Sequence, residues 1–261
     1  MSWQVVAKRR LLDPYRSRYL WVVLAVTVLL FGGGVHMATR PGLVSMLRSL
    51  GALFVSLLAI ASSYRTIAEP HQTGSLRVVL SYPNSRRDVV VGTAVGRSLY
   101  VVGIISVGYL VAGAISLVTL GADSLLSVAI VWFAAVLFGV SLTVLAVGVS
   151  AASRTVNRAA IASFTFVLLF FGGWNLLLQG IRYVLNGFST PQPPQPGWVD
   201  VFVALNPMHA FVHLVQTLHP TQTLVYESSV HTTTWFGILV LVCWALVPAT
   251  IGGWLFERRD L

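Results

Sequence analysis

The sequence predicts an all-α integral membrane protein with six transmembrane helices, both termini on the cytoplasmic side and a short cytoplasmic helix after the second span. Three observations carry that prediction. Hydrophobic residues make up 56% of the 261 and charged residues 10%, with a mean hydropathy of +0.80, far from the balance of a soluble domain. Six apolar runs, 20–38, 43–63, 99–120, 125–152, 159–185 and 235–256, reach the roughly 20 residues that a helix needs to cross a hydrocarbon core. No stretch resembles a strand repeat of alternating residues, which argues against a transmembrane β-barrel.

The elements follow in order within a single transmembrane domain, 1–261. Lys8, Arg9, Arg10, Arg16 and Arg18 precede the first run, as in a signal peptide. That run is longer than an h-region of about 7–15 residues and has no AxA-type site before "TRPG", so it reads as an uncleaved helix. Residues 1–19 read as an interfacial helix, with Trp3, Val6 and Leu11 in the headgroup region and the cations in water; Pro14 bends the chain before the first span. "TRPG", 39–42, is a tight turn that makes the first two spans an antiparallel hairpin. Residues 64–98 form a polar cytoplasmic loop, whereas "GADS" (121–124) and "SRTVNR" (153–158) are brief connections.

Residues 186–234 form an extracytoplasmic segment. It opens with the proline-rich "NGFSTPQPPQPGWVD", which favours extended backbone. Asn206 before Pro207 then marks a helix start, and Phe211, Val212, Val215 and Leu218 give that helix an apolar side to rest on the outer membrane surface or on the fifth span. No internal repeat is visible, which weakens an inverted-repeat carrier.

Orientation follows from the cations. All of the 17 Lys and Arg except Arg40, Arg48 and Arg182 fall on the side of the N-terminus, and such residues collect in cytoplasmic loops. The net charge of +9 therefore reflects topology and attraction to anionic lipid, not nucleic-acid binding.

Much chemistry is excluded. Lys8 is the only lysine, so a Walker A loop is impossible here and ATP binding of that type must come from another polypeptide. No GxSxG nucleophile elbow occurs. None of the eight carboxylates lies deep in a span, which argues against a proton-driven carrier. Cys243 is the only cysteine, which rules out an intramolecular disulfide and a Cys-rich metal site.

Weaker signals remain. His209 and His213, spaced i,i+4, could hold a metal with Met208 nearby, although "HAFVH" lacks the glutamate of a zincin motif. His36, His219 and His231 fall on the same side and keep metal handling open. Arg48, Asn175 and Gln179 are polar positions within spans and could line a substrate pathway. For Asn175 and Gln179 the competing reading is hydrogen bonding between helices; Arg48 and Arg182 are near enough to span ends to snorkel. Gly172, Gly173 and Trp174 mark a bend in the fifth span.

The loop after the second span is the most informative stretch. Glu69 and Pro70 end one helical piece, Thr73 or Ser75 caps the next, and "SLRVVLSY", 75–82, makes about two turns with Leu76, Val79 and Leu80 along one side and Arg77 facing away. Pro83 stops it, and Asp88 starts the following helix near its positive end. So short a helix needs a surface to pack on, either lipid and the chain's own spans or the groove of a partner.

"IAEPHQTGSLRVVLSYPNSRRDVVVG", 67–92, resembles the first cytoplasmic loop of ABC-2 type transporter permeases. Gly74, Leu76, Leu80, Pro83, Ser85, Arg86 and Gly92 stand where that pattern has its glycine, leucines, proline, Ser-Arg and span-opening glycine. "AKRRLLDPYRSRYL", "LNPMHAF" and "FERRDL" are similar to the subgroup that includes the permeases of nitrous oxide reductase copper maturation. The resemblance implies a multi-pass permease subunit, an exporter, in the plasma membrane of a prokaryote. It implies pairing with a second permease as a homodimer or heterodimer, and docking of an ABC ATP-binding subunit that holds ATP and Mg, with no cofactor on this chain and no enzymatic activity of its own. By the same resemblance 73–82 is the coupling helix, and Glu69, Gly74, Leu76, Val79, Leu80, Pro83, Arg86 and Arg87 couple to the ATPase. Arg86 and Arg87 would bridge to the ATPase or contact lipid phosphate. The alternatives are a secondary carrier and a metal-handling membrane protein using the outer histidines.

Overall fold

The computed structural model describes residues 3–13, 18–75, 85–190, 196–219 and 233–258. Among the described residues the fold is all-helical: α1 (Trp3–Leu12), α2 (Arg18–Met37), α3 (Leu43–Ser63), α4 (Ala68–Gln72), α5 (Arg86–Leu120), α6 (Ser124–Ala152), α7 (Val156–Leu168), α8 (Trp174–Leu185), α9 (Trp198–Ala204), α10 (Pro207–Leu218) and α11 (Thr234–Glu257). Among the described residues six helical spans are long and apolar enough to cross a membrane, the second running on through α4 and the fifth formed by α7 and α8 together. All six predicted runs are thus present, and α3 has the predicted bounds.

Two boundaries differ. The third span was expected from residue 99, but α5 begins at Arg86. Ser85 and Asp88 form a capping box in which the Ser85 hydroxyl accepts the Asp88 N–H at 3.0 Å and the Asp88 carboxylate accepts the Ser85 N–H at 3.1 Å. That cap starts the helix early, and at about 1.5 Å per residue α5 is about 52 Å long, well beyond a hydrocarbon core of about 30 Å. Much of the expected 64–98 loop is therefore helix. The fifth span is broken by a π-helical turn, Leu169–Gly173, where Gly172 and Gly173 predicted a bend.

Bilayer spans gain little from hydrophobic sorting against one another, so close packing through small residues decides their arrangement. Helix α6 is the hub, packing on α11, α5, α3, α7 and α10. Its contact with α11 is closest at Gly148 and Gly252, where a methyl group on Gly252 would collide with the Gly148 carbonyl. The Ser141 hydroxyl donates across the same interface to the Leu241 carbonyl at 2.7 Å. Helix α1 lies against the extension of α5, and a side chain at Gly92 would meet the Trp3 carbonyl at 2.6 Å. The N-terminal helix thus has a protein surface to rest on, which the interfacial reading did not include; Pro14 lies outside the described residues.

The segment after α8 does more than cross the surface. Helices α9 and α10 meet at an angle of 91°, and Ala210, Phe211, Leu214 and Val215 of α10 are buried. Phe211 stacks on Phe138 with ring centroids 5.0 Å apart, halfway along α6. His219, past the end of α10, shares a 2.8 Å hydrogen bond with Ser127 near the start of α6. Helix α10 therefore runs antiparallel to the first half of α6, inside the bundle.

Candidate functional site

The segment predicted to meet a partner enters at Ser75 and leaves at Ser85. Leu76, Val79, Leu80 and Pro83 lie outside the described residues; its two flanks are well defined. On the entering side, the first N–H groups of α4 have no partner within the helix. The Ser150 hydroxyl, on the last turn of α6, accepts both the Ile67 N–H at 3.1 Å and the Ala68 N–H at 3.0 Å. At the other end of α4 the Gln72 side-chain oxygen accepts the Val156 N–H at 2.9 Å, which opens α7. The short helix is thereby fixed to the α6–α7 corner at both ends. Glu69 makes a two-bond ion pair with Arg65, at 2.8 and 3.1 Å, on an exposed surface where such pairs contribute little. Gly74 has φ +73°, the left-handed conformation that glycine adopts without steric cost, and it turns the chain off α4.

On the leaving side the two arginines hold the end of α11. Arg86 donates to the Phe256 carbonyl at 2.8 Å and to the Glu257 carbonyl at 2.9 Å, filling acceptors that a helix C-terminus leaves open, and its guanidinium lies 5.7 Å from the Phe256 ring centroid. Arg87 forms an ion pair with the Glu257 carboxylate. Both residues therefore have partners in this chain. Arg10 of α1 donates to the Thr66 carbonyl at 3.1 Å and lies 3.7 Å from Asp13; burial, then the positive charge of Arg97, holds the Arg10 guanidinium below its ordinary pKa.

A second constellation surrounds the turn between α9 and α10. Asn206 is wholly buried. Its side-chain oxygen accepts the Met208 N–H at 2.8 Å, the helix cap predicted from Asn-Pro, and its amide donates to the Phe170 carbonyl at 2.9 Å in the π turn. Phe170 is about 21 Å along the helix from Val156, near the middle of the fifth span, so the turn sits deep in the bundle. Aromatic rings enclose it. Trp174 donates to the Phe202 carbonyl and Trp244 to the Leu205 carbonyl, each at 2.9 Å, and Phe170 meets Trp244 edge-on at 4.8 Å.

The remaining predicted residues are scattered. Arg48 is half-buried near the start of α3, while Asn175 and Gln179 are exposed on α8 beside the buried Trp174 and Leu178. His209 and His213 are half-buried on α10, and no group of three or more His, Cys, Asp or Glu that could hold a metal occurs among the described residues. Sequence reasoning missed the role of Ser150, since a serine at a span end carries no signal of a partner more than 80 positions away.

The sequence pattern of a family described as "ABC-2 family transporter protein" matches residues 35–261. The chain is also similar to two proteins named "Probable ABC transporter permease protein NosY". The one from Pseudomonas aeruginosa is 27% identical over 208 residues, 72% of this chain and 73% of that protein. The one from Stutzerimonas stutzeri is 27% identical over 114 residues, 40% of this chain and 41% of that protein, so this match spans about two fifths of the relative's length.

Proposed function

The chain belongs to the ABC-2 family of transporter proteins, and from that premise we propose that it is the membrane-spanning permease of an ATP-driven exporter, moved by ATP hydrolysed with Mg on a separate ATP-binding subunit. The arginine-rich end, with both termini, faces the cytoplasm of a prokaryote. The segment 73–82 is the coupling helix, seated in a groove of the ATP-binding subunit through Leu76, Val79 and Leu80. The absence of any lysine beyond Lys8 supports an ATPase on another chain. Two permeases pair to form the path, with Arg48, Asn175 and Gln179 contributing polar groups to it. Export is the direction of transport.

The observation that carries this reading is the attachment of both flanks of the segment. Ser150 and Gln72 tie the entering flank to α6 and α7, and Arg86 ties the leaving flank to α11. That is what a lever between an ATPase and a set of spans requires. The test is co-purification of the tagged chain, from its native cells, with a Walker A ATP-binding protein. Replacing Leu76 and Leu80 together with aspartate abolishes the association while membrane insertion persists; an unchanged yield of the complex removes the coupling-helix assignment.

A further inference from the structure

At the arginine-rich end a cavity of about 850 Å³ opens between α1, the start of α2, the end of α3, α4, α5 and α7. Its lining combines polar side chains with the aromatic and apolar ones of Tyr19, Ala61, Tyr64 and Phe164. Three guanidiniums line it, those of Arg10, Arg65 and Arg97. Arg65 is neutralised by Glu69 at 2.8 Å. Arg10 uses one nitrogen on the Thr66 carbonyl and has a carboxylate no nearer than Asp13 at 3.7 Å. The Nε of Arg97 is buried with no hydrogen-bond partner among the described residues. Arg10 and Arg97 come together because Gly96 lets α1 approach α5: a side chain at Gly96 would meet the Arg10 Cβ at 2.9 Å.

With Glu69 taken by Arg65 and Asp13 3.7 Å from Arg10, the guanidiniums of Arg10 and Arg97 leave donors on this cavity unused. A buried donor without an acceptor is costly, and the guanidinium fork matches the oxygens of a phosphate group. We propose that this cavity binds a phosphate-ester anion through Arg10 and Arg97, and that its source is the headgroup of an anionic phospholipid. The lipid source follows from the walls. Tyr19 is 51% and Phe164 38% exposed, so aromatic surface suited to an acyl chain adjoins the arginines, whereas a small soluble phosphate would leave it wet. The cavity is also lined by Glu69, Thr73 and Ser75 of the coupling region, but Arg10 and Arg97, which carry the proposed binding, are not among the residues assigned to coupling.

The test is native mass spectrometry of the full chain in non-ionic detergent with dioleoyl phosphatidylglycerol, dioleoyl phosphatidylcholine or glycerol 3-phosphate. Phosphatidylglycerol is retained in preference to phosphatidylcholine, and Arg97→Gln and Arg10→Gln each lower its retention about tenfold, as expected for loss of a charge-assisted hydrogen bond. Arg97→Lys, which keeps the charge without the fork, retains an intermediate amount and serves if the glutamine variant does not fold. Displacement of the lipid by equal glycerol 3-phosphate supports the phosphate site and assigns it to a soluble ligand. Equal retention of phosphatidylglycerol by the parent and the arginine variants overturns the proposal.

Discussion

Replacing Asn206 with alanine isolates the turn held at mid-depth. The side chain is wholly buried and makes one bond along its own helix, to the Met208 N–H, and one across to the Phe170 carbonyl. Loss of the cap costs about 1 kcal/mol. Leaving the Phe170 carbonyl without its donor costs roughly 1 kcal/mol more, at the low end for a buried group because interhelical hydrogen bonds within membranes contribute only about 0.6 kcal/mol on average. The sum is about 2 kcal/mol, which at roughly 2–4 °C per kcal/mol for a chain of this size lowers the unfolding midpoint by about 4–8 °C. The assay is thermal unfolding in a fixed detergent, read as loss of the monodisperse size-exclusion peak. Asn206→Ser supplies a cap oxygen but cannot reach Phe170, so its midpoint falls by about half as much. An alanine variant within about 1 °C of the parent, or a serine variant as damaging as alanine, refutes the assignment of two separate bonds.

Two further substitutions probe the frame. Gly252→Ala places a methyl group against the Gly148 carbonyl, whereas nothing lies within 4 Å of the same addition at Gly253. The first therefore disperses the size-exclusion peak and Gly253→Ala leaves it sharp; equal behaviour of the pair counts against the close α6–α11 contact. Ser150→Ala leaves the Ile67 and Ala68 N–H groups without their acceptor, at a cost of roughly 1–3 kcal/mol, so trypsin cleaves at Arg65 faster in membranes of known orientation. An unchanged cleavage rate shows that α4 does not depend on Ser150.

The spans were legible because an apolar run of fixed length is a local signal, and the bounds of α3 match it. The early start of α5 was partly legible: Asp88 marked the start of a helix, two residues after the observed Arg86, but the span itself was bounded at 99 because hydropathy reports where lipid is, not where helix is. The Asn206–Pro207 pair marked a helix start correctly, yet its depth depends on Phe170 and Trp244, which are remote in sequence. Placing α10 on the outer surface was one of two readings; its burial against Phe138 comes from tertiary packing. The convergence of Arg10 and Arg97 was invisible for the same reason. Both belong to the cationic side that charge asymmetry identified, but only the approach of α1 at Gly92 and Gly96 brings them to one cavity.

These contacts also determine what can move together in the proposed transporter. In the proposed coupling, a load enters α6 at the first flank through Ser150 and α11 at the second through Arg86, and those two helices interlock at Gly148 and Gly252, so close that one cannot slide past the other without parting the backbones. They share the Ser141–Leu241 bond as well. The α6–α11 pair must therefore tilt as one body. The pair grips the α9–α10 turn from both sides, α6 through Phe138 on Phe211 and α11 through Trp244 on the Leu205 carbonyl, while Asn206 ties the same turn to the π-helical break in the fifth span. A π turn carries one residue more per turn than its neighbours and is a place where a helix can repack. Tilting α6 and α11 thus pulls on the fifth span at its π turn, and the exposed Asn175 and Gln179 lie on the helix beyond that turn, which a change in the bend carries with it.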